Sequence, residues 1–183
     1  MAQLETRRLL LRRWHADDRA AFAALNADPE VMRYFPRLLS RKESDHLVDM
    51  IDTHIASEGW GLWALEERTT QRFLGFTGLA RPAFEASFTP AVEIGWRLSR
   101  AAWGFGFATE AARAAASFAF KELALDELVS FTTERNARSL AVMRRLGMWH
   151  DPTHDFDHPH VEGPLRRHVL YRLPTHALTD TPS

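Results

Sequence analysis

Two glycines separated by one residue lie between a strand pattern and a helix pattern, and this arrangement can bind an anion. Gly104 and Gly106 follow the alternating segment 91–98 and precede the alanine-rich segment 109–123. Because glycine adopts positive φ at no steric cost, such a loop can turn several backbone N–H groups toward one point. The first turn of the following helix adds unpaired N–H groups and a dipole that favours negative charge. The segment therefore predicts a cradle for a diphosphate.

A Gly-x-Gly loop is a weak signal by itself, and other interpretations compete with this one. A plain strand-to-helix turn would carry the same residues. A nucleotide P-loop is excluded because no Gly-Lys-Ser/Thr sequence follows. A dinucleotide-binding fold is disfavoured because its third glycine would fall at Thr109 and the chain has a single strand-loop-helix unit of this kind.

The patterns on either side of the loop indicate which elements position it. Apolar spacing and capping residues predict helices at 17–27, 40–55, 109–123 and 138–146, with a further short helix at 28–36. Alternation predicts strands at 8–14, 60–65, 73–80, 91–98, 127–133, 148–149 and 167–173. This order predicts a single α/β (α+β) domain with a mixed, mainly antiparallel twisted sheet of about seven strands flanked by helices.

Composition limits the classes of protein to which the chain can belong. Its 183 residues fit one domain, which we expect to span 1–175 before a C-terminal tail at 176–183. The absence of cysteine excludes a disulfide scaffold and a thiol nucleophile. A net charge of −1 gives no basic excess for nucleic acid. Neither a signal peptide nor an apolar run of about 18 residues is found. We therefore expect a cytoplasmic protein that contacts neither nucleic acid nor membrane.

Two motifs of the chain resemble those of a known family. Residues 103–111 (Trp-Gly-Phe-Gly-Phe-Ala-Thr-Glu-Ala) look like the coenzyme A loop of the GNAT superfamily of N-acetyltransferases, in the form of its RimJ/RimL-like branch. Residues 134–148 are similar to the family's Asn-x-x-Ser-x-x-Val-x-x-Lys-Leu-Gly-Phe segment. Segments 5–12 and 28–32 are similar to that branch as well. The resemblance covers nearly the whole chain and implies a GNAT-like domain.

The resemblance implies that acetyl-CoA binds as a co-substrate, and we expect no metal because segment 150–160 lacks a helical ligand spacing. The implied cofactor-binding residues are Trp96, Leu98, Trp103, Gly104, Phe105, Gly106, Phe107, Ala108, Thr109, Asn136 and Arg144. Asn136 would hydrogen-bond the pantetheine arm, and Arg144 or Arg145 would reach the phosphates. The wider family often has Gln or Arg where this chain has Ala101, so phosphate binding should depend mainly on backbone N–H groups.

The resemblance also implies direct attack of a primary amine on the thioester. An α-amine has a pKa of about 8 and a lysine amine one of about 10.4, so a base is needed near pH 7. Glu93, in segment 91–98, is the expected base. The alternative is that Glu93 is only a surface carboxylate on a half-exposed strand. Many family members have a tyrosine at the position of Met143 that serves as the general acid for the leaving thiolate. We expect Ser139 to replace it, with Tyr34 and Tyr171 as alternatives.

Segment 150–160 concentrates four histidines and three aspartates, and its two prolines indicate a loop. A metal site, an acidic loop that faces an ammonium substrate and a solvated loop are all compatible with it. The family resemblance further implies that Trp14, Tyr34 and Phe35 line the acceptor pocket.

Together these observations favour transfer of an acetyl group from acetyl-CoA to a primary amine. The acceptor could be a protein N-terminus or a small molecule such as a polyamine or an aminoglycoside. The alternative is a catalytically silent acyl-CoA sensor, because the usual tyrosine is absent. The sequence leaves a homodimer open and does not identify the acceptor.

Overall fold

The computed structural model describes residues 3–178. Within them it has four α-helices: α1 (Asp18–Asn26), α2 (Arg41–Glu58), α3 (Phe107–Lys121) and α4 (Ala137–Arg145). The strands are β1 (Leu4–Glu5), β2 (Leu9–Arg12), β3 (Leu62–Glu67), β4 (Arg72–Ala80), β5 (Glu93–Leu98), β6 (Glu127–Thr133), β7 (Trp149–His150), β8 (Phe156–Asp157) and β9 (Arg167–Pro174). The expected fold class is confirmed, with two more strands than the sequence predicted.

The strands of residues 3–178 form one open sheet in the order β1-β2-β3-β4-β5-β6-β9-β7, and β8 pairs with β9. Neighbouring strands are antiparallel except β5 and β6, which are parallel because α3 crosses between them. The sheet is therefore mixed and mainly antiparallel, as predicted.

Helix α3 covers one face of the sheet through small side chains. Its inward-facing alanines are fully buried; they are Ala111, Ala112, Ala115, Ala116 and Ala119. A methyl group adds little bulk, so the helix packs close to β4 and β5 beneath it. This packing fixes where the first turn of α3 lies.

Helices α1 and α2 pack on the opposite face, over a second apolar cluster that includes Phe22, Ile55 and Phe76. The start of α2 is set by a capping box, in which Ser40 Oγ accepts the N–H of Glu43 and a Glu43 carboxylate oxygen accepts the N–H of Ser40. The helix ends before Gly59, whose φ of +79° is left-handed.

The structure has no helix at 28–36, so the short helix predicted there is wrong. The Asp28 side chain accepts the N–H groups of Glu30 and Val31, which gives a local turn in place of a helix. Isolated turns follow, closed by the bonds Met32 N to Asp28 O and Phe35 N to Met32 O. Asp28 thus offers its neighbours' backbone groups an alternative to helical bonding, as aspartate does in turns.

Two further boundaries differ from the prediction. Helix α3 begins at Phe107, two residues before the predicted start, because Gly106 takes the N-cap position. Part of the segment predicted as a loop forms β8, where Phe156 pairs with His168 and Asp157 with Arg167 of β9.

At the C-terminus, the described chain ends with a 3-10 turn at Thr175–Ala177. Ala177 and Leu178 pack against the main apolar cluster. Of the tail predicted at 176–183, residues 179–183 lie outside the described residues. No helix within residues 3–178 has the length and apolar character needed to cross a bilayer.

Candidate active site

A cleft opens where β5 and β6 separate. Their parallel pairing is limited to Glu93 and Val129, next to a bond from Val129 N–H to the Val92 carbonyl oxygen of 3.0 Å. Beyond this point the two strands share no ladder bonds within the described residues, and a cleft of about 1990 Å³ lies at the gap. Because single-ligand pockets measure about 300–1000 Å³, this cleft can hold an elongated ligand and a second molecule.

The glycine loop borders one end of the cleft. Gly104 and Gly106 have φ values of +84° and +80°, so both positions require the left-handed conformation that the sequence predicted for glycine. The backbone N–H groups of residues 104–109 donate to no acceptor within residues 3–178. These residues all line the cleft. The loop and the start of α3 thus present unpaired donors to a ligand, as an anion site requires.

Glu110 anchors the first turn of α3 to the sheet. Its carboxylate accepts hydrogen bonds from Thr6 Oγ1 at 2.6 Å, from Arg8 N at 3.0 Å and from Arg8 Nε at 2.7 Å. The Arg8 guanidinium also lies 4.7 Å from the centre of the Phe107 ring. Although burial alone would raise the pKa of Glu110, the bonds from Thr6 and Arg8 lower it below its usual value. The carboxylate is therefore ionised and paired, which leaves the N–H groups of the loop free for a ligand.

Three arginines border the same part of the cleft, namely Arg113, Arg138 and Arg145. Arg113 donates to the Arg145 carbonyl oxygen at 2.9 Å. Arg138 lies 4.2 Å from the centre of the Trp103 ring, and Trp103 Nε1 donates to the Leu98 carbonyl oxygen at 3.0 Å. The charges of the three guanidinium groups give the loop end of the cleft a positive potential that suits phosphates.

Asn136 lies at the N-cap of α4, across the cleft from β5. Its Oδ1 accepts the N–H of Ser139 at 3.3 Å, and its Nδ2 donates to Thr132 Oγ1 at 2.9 Å. Asn136 therefore has a structural role as a helix cap in addition to its place in the cleft wall. Ser139 is half-buried and lines the cleft one turn further along.

The structure brings Glu93, Ser139 and all but one of the implied cofactor-binding residues to this cleft. They are Glu93, Trp96, Leu98, Trp103, Gly104, Phe105, Gly106, Phe107, Ala108, Thr109, Asn136 and Ser139. The exception is Arg144, which does not line the cleft, whereas Arg145 does. Adjacent residues of a helix point about 100° apart, so only one of the two arginines that the sequence offered lines the cleft.

Glu93 lies at the floor of the cleft, where β5 and β6 are still paired. Its Oε1 lies 3.7 Å from the place that a Cβ on Gly95 would occupy, so the carboxyl group leans along the strand over a position without a side chain. Burial raises the pKa of Glu93 to about 8. The carboxyl group is consequently protonated in roughly nine of ten molecules at pH 7 and becomes a carboxylate in mild alkali.

The residues proposed as a general acid differ in their access to the cleft. Met143, at the position of the usual tyrosine, is buried and lines the cleft wall. Tyr34 and Ser139 also line it. Tyr171 is buried on the far side of β9, where it stacks on His150 with ring centres 5.2 Å apart. Tyr171 is thereby removed as a candidate.

The wall opposite the glycine loop is aromatic and rich in histidine. Phe131 of β6, His158, His160 and His168 line it. Burial, with the nearby His168 and His160, lowers the pKa of His158 to about 4. His168 Nδ1 lies 3.0 Å from the Arg166 carbonyl oxygen, to which it must donate, so its Nε2 keeps a free lone pair.

The aspartates of segment 150–160 do not form an acidic surface over the cleft. Asp151 is paired with His154 and Arg172, and Asp155 with His150. Asp157 pairs with arginines at the start of β9. The described residues hold no group of three or more histidine, aspartate or glutamate side chains placed for a metal ion. The segment instead contributes imidazoles to the cleft.

Arg97 is a cleft residue that the sequence analysis missed. It lies on the same face of β5 as Glu93 and Gly95, and it packs between the rings of Phe35 and Phe76. Tyr34 and Phe35 line the cleft as expected, whereas Trp14 is buried in the cluster beneath α1 and does not reach it. A single arginine in a strand has no signal that distinguishes it from a surface residue, since its burial depends on distant segments.

An open mixed sheet that separates beside a glycine-capped helix is the architecture that this chain shares with an acetyltransferase of known structure. The family model for the acetyltransferase (GNAT) domain matches residues 8–149, and the chain belongs to this family. Solved structures of ribosomal-protein acetyltransferases, RimL among them, share its fold. The chain is accordingly an N-acetyltransferase, and acetyl-CoA is the acyl donor that its family uses.

Individual relatives and a solved structure are similar to most of this chain. YkkB of Bacillus subtilis is 31% identical over 152 residues, which cover 82% of this chain and 87% of that protein. An FsC-acetyl coenzyme A-N(2)-transacetylase of Aspergillus fumigatus is 34% identical over 157 residues, which cover 82% of this chain and 66% of that protein. The crystal structure of an acetyltransferase from Agrobacterium tumefaciens matches with a TM-score of 0.78 at 26% identity, over 94% of each chain.

Proposed function

We propose that this enzyme transfers the acetyl group of acetyl-CoA directly to a primary amine without an acyl-enzyme. The observation that carries the proposal is the row of unpaired N–H groups at residues 104–109, placed at the end of the gap between β5 and β6. A diphosphate held there would direct an extended pantetheine arm into that gap. Acetyl-CoA, when bound, supplies an acetyl group already activated as a thioester.

The residues of the gap then have distinct tasks in binding. Trp96 and Leu98 of β5 offer main-chain groups on one side, and Asn136 and Ser139 form the other side. Arg145 and the loop amides meet the phosphates. A thioester carbonyl placed beside the unpaired part of β5 would be polarised by a backbone N–H near Trp96.

Glu93 is proposed as the proton acceptor for the incoming amine. An amine must lose its proton to attack, and a carboxylate whose pKa is close to that of the ammonium group accepts a proton efficiently. The amine nitrogen forms the new bond to the carbonyl carbon as the carbon–sulfur bond breaks. The departing sulfur carries the electron pair of that bond. The proton that the new amide nitrogen must lose would reach this sulfur directly or be relayed through Ser139, Tyr34 or water.

A catalytically silent acyl-CoA sensor is the second candidate. The observation in its favour is Met143, a buried side chain without an acidic proton at the position where many family members have tyrosine. A sensor would bind acetyl-CoA and release no thiol in the presence of amines. Turnover therefore distinguishes the two proposals.

The experiment combines calorimetry with acetyl-CoA and thiol release over a panel of amines. Gly104→Val should lower acetyl-CoA affinity at least tenfold, because valine disfavours a φ of +84°. Gly163→Val is the matched control, since Gly163 has a φ of +67°, open space around it and no place in the cleft. Equal affinity in the two variants would reject the loop as the phosphate site. Binding without thiol release from any amine would favour the sensor.

A further inference from the structure

The guanidinium group of Arg97 is enclosed without a carboxylate partner among residues 3–178. It makes no ion pair there, and its Nε is buried without a hydrogen-bond acceptor. Arg12 of β2, which is buried, pairs by contrast with both Asp18 and Glu66. Burying a cation is costly unless an anion compensates it, so Arg97 is incompletely satisfied in the protein alone.

Neutral groups hold this cation in one position. Arg97 Nη1 donates to Asn26 Oδ1 at 2.7 Å, and Asn26 Nδ2 donates in turn to Ser44 Oγ at 2.9 Å. The guanidinium carbon lies 4.0 Å from the centre of the Phe35 ring and 5.4 Å from that of Phe76. Burial lowers the pKa of Arg97 to about 10, which keeps it charged at pH 7. Among residues 3–178 the site is thus a fixed positive charge without a counter-ion.

The acidic residues of the cleft do not neutralise Arg97. Glu110 is engaged by Arg8, and Glu5 lies 3.5 Å from Arg68. Glu30, the acidic residue of the turn over the cleft, is largely exposed and lies 3.8 Å from an arginine of its own turn. Glu93 is mostly uncharged at pH 7 because burial raises its pKa to about 8. The acceptor half of the cleft is therefore positive overall at neutral pH.

We propose that Arg97 binds a carboxylate of the acceptor, so that the substrate is an amine that also carries a carboxylate group. This assignment rests on the proposed function and names its substrate class. Arg97 and Glu93 are four residues apart on one face of β5, about 13 Å between Cα atoms, with Gly95 between them. An amine that reaches a thioester beside Gly95 can therefore place its carboxylate toward Arg97.

The number of charges favours a carboxylate over other anions. One guanidinium group compensates one negative charge, and its planar donors match the two oxygens of a carboxylate. A phosphate monoester carries nearly two negative charges at pH 7. A polyamine would instead bring further positive charge toward Arg97, so the same geometry disfavours polyamine acceptors.

The experiment compares acceptors that differ only in the carboxylate. The probes are glycine, leucine, phenylalanine and γ-aminobutyrate, each against its amide, together with spermidine and phosphoethanolamine. Thiol release gives kcat/KM for each. We expect kcat/KM for the best amino acid to exceed that for its amide at least tenfold in the wild-type enzyme. An amide's amine is the less basic of the two and is more often neutral, so intrinsic reactivity opposes this preference.

Variants assign the preference to Arg97. Arg97→Met should reduce the ratio of kcat/KM for an amino acid to that for its amide to about one and leave acetyl-CoA affinity unchanged. Arg97→Lys should retain part of this preference for the amino acid. Arg33→Met is the matched control, because Arg33 is exposed over the Tyr34 ring and should leave the ratio intact.

The outcomes separate this assignment from the proposed function. Turnover with equal rates for acids and amides in the wild-type enzyme overturns the carboxylate site alone, and this holds even where Arg97→Met does not fold. Preference for spermidine or phosphoethanolamine over every amino acid overturns it as well. Failure to bind acetyl-CoA overturns the proposed function and this assignment with it.

Discussion

Arg8 and Glu110 join the turn between β1 and β2 to the first turn of α3 through a bond of 2.6 Å from Nη2 to Oε2. Thr6 and the Arg8 backbone bind the same carboxylate, so one side chain fixes the end of the helix that faces the cleft. The proposed phosphate cradle is therefore positioned by a contact between residues far apart in the sequence. Helix α3 meets the sheet largely through small alanine side chains, so this polar contact adds to the packing of Phe107 and Phe118 in fixing the helix rotation.

Glu110→Ala should destabilise the protein by about 2–3 kcal/mol, because it leaves the partly buried Arg8 and Thr6 without their acceptor. The folded-state pKa of Glu110 is lowered, so its contribution is present above the unfolded pKa of about 4.3 and is lost as pH falls through the folded value. Urea unfolding at pH 7 and pH 3 measures both effects. Glu58→Ala, which breaks an exposed pair with Arg81, should lower the free energy of unfolding far less, because surface ion pairs contribute little. Equal losses in the two variants would contradict the anchoring role.

The local parts of this site could be predicted from the sequence. The glycine loop can be recognised from two residues that permit positive φ, followed directly by a helix. The capping box of α2 is equally local, since Ser40 and Glu43 contain the whole signal. Asn136 and Ser139 share one turn of α4, and a motif therefore places them together. In each case the interacting groups lie within a few residues of one another.

The parts that depend on distant segments could not be predicted in this way. Arg97 is enclosed by Asn26 and Phe35, which come from α1 and the turn after it. His158 reaches the cleft because the short β8 pairs with β9, a pairing that two residues cannot signal. The choice of Arg145 over Arg144 depends on the rotation of α4, which the packing of its other face decides.

Glu93→Gln should lower kcat by about 10²–10⁴, since glutamine cannot accept the proton of the ammonium group. In the wild-type enzyme, kcat should rise with pH through about 8, because burial raises the pKa of Glu93 to that value. In Glu93→Gln this rise of kcat near pH 8 should disappear, and only the pH dependence that comes from the amine should remain. The measurement is thiol release between pH 6 and pH 9.5 with saturating acetyl-CoA. Glu122→Gln, an exposed change beyond the end of α3, serves as control. Full activity of Glu93→Gln across this range would exclude Glu93 as the base.

The same carboxyl group gives a stability signal that does not depend on catalysis. The pKa of Glu93 is about 8 in the folded protein and about 4.3 in an unfolded chain, so the folded state binds the extra proton between these values. Its contribution is complete below pH 4.3 and is lost as pH rises to 8. Relative to Glu93→Gln, the wild type should lose roughly 2–4 kcal/mol across that window, at about 1.4 kcal/mol per pKa unit with a discount for partial exposure. Urea midpoints of both proteins at pH 5 and pH 9 test this. A constant difference between them would contradict the burial of this group.

His158 should remain neutral well below the pH at which an exposed histidine gains its proton. Burial and the neighbouring His168 and His160 lower its pKa to about 4. The unfolded chain therefore binds more protons between about pH 4 and pH 6.5, and the folded state loses stability as pH falls through that range. Ring carbon shifts of labelled histidine give the titration directly, with His158→Gln used to assign the signal. A His158 titration centred near 6.5 would show that the imidazole is solvated and not part of a closed wall.

Ala115→Leu should destabilise the protein by roughly 1–3 kcal/mol, because a larger side chain cannot be accommodated where α3 meets the sheet. Ala115 is fully buried within the alanine-lined face of α3, alongside Ala112 and Ala119. A leucine there would displace the helix outward and with it the loop donors at its start, so acetyl-CoA affinity should fall together with stability. Ala56→Leu, on the exposed face of α2, provides the comparison and should change neither quantity. Loss of stability with unchanged affinity would mean that the cradle keeps its geometry independently of helix packing, and that the Arg8–Glu110 contact alone positions it.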